Sequence, residues 1–131
     1  MIIKIEDEIA KMGYLKNTAG AIVDYVRAVS RGSDFQHYNE WTLEPDNWIL
    51  LRFSYTSTKT VAITMGVPLE RLPDTTGIKA DTGHWRNRSR LYLKRAGQLP
   101  GAFRCIEYAY YYSSNKYRKR HGFPEKPKAA V

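Results

Sequence analysis

Two runs of alternating residues, "NWILLRFSY" (47–55) and "KTVAITMGV" (59–67), constrain the fold of this chain more than any other feature. Ile49, Leu51, Phe53 and Tyr55 fall at every second position of the first; Val61, Ile63, Met65 and Val67 do so in the second. Successive side chains of a strand point to opposite faces, so each run predicts a strand with one apolar face. Both runs are rich in strand formers, and the "TST" between them fits a hairpin loop.

Helical signals lie on either side. In "TAGAIVDYVRAVSRG", Thr18 is placed to cap the N-terminus, Ile22, Val26 and Val29 recur at i, i+4 and i+7, and Gly32 is placed to end the helix. In "AFRCIEYAYYYSSNKYRKR" (102–120), Phe103, Ile106, Tyr110 and Tyr117 fall near one helical stripe. Residues 3–12 fit a short helix or a strand. Residues 33–47 read as a loop anchored by Phe35, Tyr38 and Trp41 and closed by the turn-forming "EPDN". "PLERLPDTTGIKADTG" reads as a long connection with one short helical turn at Leu69–Leu72. "HWRNRSRLYLKRAG" (84–97) predicts a third strand, with Trp85, Leu91 and Leu93 on one face and its arginines and Tyr92 on the other. The sum is an α+β fold: a small antiparallel sheet of three or more strands packed against an N-terminal and a C-terminal helix. Residues 1–122 are expected to form one domain, and 123–131, "FPEKPKAAV", a flexible tail.

Charge divides the chain. Residues 1–75 hold eight Lys/Arg against ten Asp/Glu; residues 76–131 hold thirteen against three. The whole excess behind the formal net charge of +8 therefore sits in the C-terminal part, an asymmetry that points to a polyanionic partner. At 43% hydrophobic and 26% charged, the composition is that of an ordinary globule rather than a disordered segment. Cys105 is the only cysteine, which excludes an internal disulfide and a thiolate metal cluster and fits a reducing compartment. The acidic start "MIIKIEDEIAKMG" lacks the pattern of a secretory signal, and no apolar run approaches the ~20 residues of a membrane span. The expectation is a cytoplasmic protein with no membrane association.

The basic half carries the candidate site. Arg86, Arg88 and Arg90 alternate on the predicted third strand, so their guanidinium groups would stand about 7 Å apart on one face, roughly the phosphate spacing of a nucleic-acid strand. Arginine offers planar donors that match phosphate oxygens; the competing reading is a solvated sheet face, which mixed charges serve as well. Lys94 and Arg95 extend the row, and Tyr92 shares its face. Tyr108 and Tyr112 fall on one side of the second helix, where exposed tyrosine beside cations has the composition of a base-stacking surface. Tyrosine also packs at helix–sheet interfaces with only its hydroxyl wet, and Tyr110 is assigned to the core on that ground. Lys116, Arg118, Lys119 and Arg120 close that helix, complementing its dipole and adding counterion-releasing charge.

These features predict a non-catalytic domain that binds DNA or RNA, or another polyanion, through its C-terminal basic and aromatic face, with no cofactor and no metal. A protein-interaction or inhibitor module is the alternative, with Tyr38, Trp41 and Trp48 either as exposed anchors for an acidic protein or, more in keeping with their size, buried at the core's edge. A metal-independent nuclease is the third reading. His84 beside Asp81 would serve as base, or Arg31 and His37 would act at their R-x5-H spacing. Metal-ligand spacing, a phosphate-binding loop and a nucleophile elbow are all missing from the sequence, and Cys105 falls inside a predicted helix as a packing residue.

Overall fold

A computed structural model describes residues 4–30, 34–44, 47–55, 58–83, 87–114 and 119. A six-stranded antiparallel sheet, ordered β1-β2-β3-β4-β6-β5, forms one layer. Its strands are β1 (Asp34–His37), β2 (Trp41–Glu44), β3 (Ile49–Ser54), β4 (Thr60–Met65), β5 (Lys79–Asp81) and β6 (Ser89–Leu93). Helices α1 (Ile5–Ile9), α2 (Lys16–Ser30) and α3 (Leu99–Ala109) form the other layer. The α+β architecture expected from the sequence is the one observed.

The β3–β4 hairpin is the centre of the sheet, paired from Ile49↔Met65 to Ser54↔Thr60. Directly opposed residues of adjacent strands share a face. Leu51, Ile63 and Leu91 therefore form one row across β3, β4 and β6, and Phe53, Val61 and Leu93 a second. Every member of both rows is buried. They join one apolar cluster with Ile22, Val23 and Val26 of α2 and Ala102, Cys105 and Ile106 of α3. Each fully buried leucine or isoleucine here contributes about 1.5–3 kcal/mol. The two long helices also touch each other, with Tyr25 stacked on Phe103 at 4.2 Å. Arg27 of α2 ties the N-terminal elements together, bonding Glu6 of α1 at 2.9 Å and Asp34 of β1 at 3.0 Å.

Several local expectations are corrected. Within the stretch 33–47 expected as a loop, residues 34–44 form a β1–β2 hairpin: Phe35 pairs with Leu43 and His37 with Trp41, and Phe35, Trp41, Thr42 and Leu43 are buried. Trp41 and Trp48 are buried, as their size suggested, whereas Tyr38 at the hairpin's tip is 63% exposed. The third expected strand is shorter than its alternating stretch, running only from Ser89 to Leu93. It also gains an unexpected outer neighbour, β5. Thr18 does not cap α2; the helix starts at Lys16, and Thr18 is buried inside its first turn. α3 begins at Leu99, with Pro100 where a missing N–H costs nothing. Expectations for Gly32, Trp85, Tyr117 and the 123–131 tail lie outside the described residues. No helix among the described residues is long and apolar enough to cross a membrane.

Candidate nucleic-acid interface

The helices cover one face of the sheet, and alternation assigns the other. Thr42, Leu50, Thr64, Arg90 and Asp81 form one row on this second face; Arg52, Ala62, Tyr92 and Lys79 form another. Arg90 and Tyr92 thus point away from Leu91 and Leu93, as their spacing predicted.

Of the expected row of three exposed arginines, Arg90 does not stand exposed, and Arg86 lies outside the described residues. Arg90 is 8% exposed. Its Nε donates to Thr64 Oγ1 at 2.7 Å and its Nη2 to Glu40 Oε1 at 3.1 Å, so it lies along the sheet instead of standing out from it. The cause is an acid from the β1–β2 hairpin, fifty residues away in sequence, that reaches the same face. Arg88, immediately before β6, is half-buried; burial lowers its pKa, and the Glu40 carboxylate acts against that shift. Arg90 is therefore a structural cation in this protein and is withdrawn from the set of outward phosphate contacts.

Tyr92 holds the middle of the second row. Its hydroxyl donates to Asp81 Oδ1 at 3.1 Å, and Lys79 Nζ lies 5.1 Å from its ring centroid. Burial and then the Asp81 bond raise its pKa, favouring the neutral phenol. Ala62 lies beside it and Arg52, exposed, beyond. Lys79, also exposed, closes the other end. Strands about 4.8 Å apart place the ends of this row roughly 14 Å from each other. Lys94 and Arg95 are exposed just past β6, where their backbone N–H groups donate to Gln98 Oε1 at 2.7 and 3.2 Å and fix the chain's exit.

Tyr108 and Tyr112 do share a side, with rings 5.9 Å apart and nearly parallel. They sit on α3 and its continuation, half-buried against the core, and so belong to the helix layer rather than to the face of Tyr92. Lys119 is exposed. Arg86, Lys116, Arg118 and Arg120 lie outside the described residues, as do His84 and Arg31. Arg52 and Lys79 were missed by the sequence reading. The signal for Arg52 was available, since it alternates with Leu51 and Phe53; Lys79 sits on a strand of three residues, too short to show a period.

This arrangement is a two-layer α+β fold whose second sheet face carries a part-exposed aromatic ring, hydrogen-bonded to Asp81 and close to Lys79, beside the buried Ala62, Thr64 and Arg90. Comparisons with protein-family models, curated proteins and solved structures find no match to this chain.

Proposed function

We propose that this protein binds nucleic acid on the sheet face opposite helices α2 and α3, and that a single strand is the form this face accepts best. The observation that carries the reading is the row Lys79–Tyr92–Ala62–Arg52: a neutral aromatic ring held by Asp81, a small residue beside it, and an exposed cation at each end. A base can stack on the part-exposed ring of Tyr92 while phosphates meet Lys79 and Arg52. Stacking on such a ring contributes about 1–3 kcal/mol per base and is open only to unpaired bases. Lys94 and the half-buried Arg88 flank the ends of β6 on this side, and the basic C-terminal segment adds charge without sequence preference. The interaction-module alternative rests on Tyr14 and Tyr38, 71% and 63% exposed, as anchors for a protein partner.

The test is fluorescence anisotropy with labelled single-stranded DNA and RNA of mixed sequence across a salt series. Three exposed cations at this face, Arg52, Lys79 and Lys94, give an expected log–log slope of about −2 for a single strand. Duplex of the same sequence should bind more weakly. Absence of binding at low salt would overturn the reading and favour the protein partner.

A further inference from the structure

We infer that a cleft at the end of the β1–β2 hairpin is a pocket for one unstacked guanine base. The inference rests on the nucleic-acid reading for its biological ligand, but the pocket is testable without it. β2 begins at Trp41, opposite Leu51, so β3 runs on through residues 52–54 with no β2 residue beside it. The hairpin turns instead through Tyr38, Asn39 and Glu40, where the Tyr38 N–H donates to the Glu40 carbonyl at 3.1 Å. The notch left between turn and strand has a volume of about 390 Å³, within the range of small-molecule pockets.

Its lining suits a flat, donor-rich heterocycle. Trp41, Phe53 and Tyr55 supply aromatic surface, and Glu8 and Asn39 supply polar groups. Among the described residues, the Glu8 carboxylate meets only His37, at 4.0 Å, too far for a hydrogen bond. The Glu8 carboxylate is therefore open to a donor from the cleft. A phosphate is the wrong occupant, because a free carboxylate repels it. Guanine is the base whose Watson–Crick edge places two N–H donors side by side, and these match the two oxygens of one carboxylate. Adenine and cytosine offer an amino group next to an acceptor, and uracil a single N–H between carbonyls; each sets a lone pair against that carboxylate.

Arg52 links pocket and face. It lines the cleft and also ends the exposed row that begins at Lys79. A strand whose phosphates follow that row to Arg52 would deliver its next base into the notch.

The experiment uses the full chain and the four uncharged ribonucleosides, followed by amide chemical-shift titration, with oligonucleotide anisotropy in parallel. Guanosine should shift the signals of His37, Asn39 and Tyr55 saturably, while adenosine, cytidine and uridine should not. Glu8→Gln, which keeps the volume but replaces one acceptor oxygen with a donor, should abolish the guanosine response. In a mixed oligonucleotide with one guanine, changing it to adenine should weaken binding about tenfold for the wild type and leave Glu8→Gln unaffected. Oligonucleotide binding without a guanosine response, or equal responses to all four nucleosides, would overturn the pocket and leave the sheet face standing. A guanosine response lost in Glu8→Gln, without oligonucleotide binding, would support the pocket and overturn the sheet face.

Discussion

Glu40→Gln should be among the most damaging conservative substitutions in this protein. The Arg90 side chain is 9% exposed and that of Glu40 15%, with Nη2 and Oε1 3.1 Å apart. Removing one charge of such a pair leaves the other desolvated and uncompensated, which costs about 3–5 kcal/mol for full burial. Residual exposure of the pair, and the bond Arg90 keeps to Thr64, bring the expected loss to about 2–3 kcal/mol. Arg88 adds to it, since the same carboxylate acts on its charge and its loss leaves two partly buried guanidinium groups on one face. For a chain of this length the loss corresponds to a fall in Tm on the order of 10 °C. Urea denaturation followed by circular dichroism measures it, and a cycle with Arg90→Met isolates the pair. The double variant should recover part of the loss, because the buried Arg90 charge is removed together with that of Glu40. A Glu40→Gln protein within about 0.5 kcal/mol of the wild type, or strictly additive single effects, would refute the view of Arg90 as an internal cation.

Other outcomes are expected from the same structure. Leu91→Ala, at the fully buried centre of the Leu51–Ile63–Leu91 row, should cost about 2–5 kcal/mol in the same denaturation assay. Lys79→Ala should change stability by less than about 0.5 kcal/mol yet weaken oligonucleotide binding and reduce the salt slope by about 0.7, since it removes one exposed phosphate contact. Burial pushes the Cys105 thiol up to about 11, so a thiol reagent at pH 8 should label the native protein far more slowly than the urea-unfolded one; equal rates would contradict its place in the core. Burial, and then the hydrogen bond to Glu107, push Tyr25 up to about 12, against roughly 10 in an unfolded chain. The folded state thus favours the neutral phenol: its contribution is whole below about pH 10 and is lost as pH rises toward 12, a loss that Tyr25→Phe should remove from the stability–pH curve.

By itself, the sequence determined the centre of this fold and the sidedness of its candidate site. The β3–β4 hairpin was legible because both strands are six residues long, and alternation over that length admits one assignment of faces. The same logic placed Arg90 and Tyr92 opposite Leu91 and Leu93. Strands β1, β2 and β5 were not legible, since four or three residues are too few for a period to stand out from chance. Only the tertiary structure decided which cations face outward. An arginine's exposure depends on whether an acid reaches it, and Glu40 arrives from a hairpin whose strands the sequence does not announce. The pairing that turns Arg90 inward, the approach of Lys79 to Tyr92 and the notch beside β3 all join segments distant in the chain. Local patterning dictates which way a side chain points from its own backbone, and the packing of remote segments decides what it meets there.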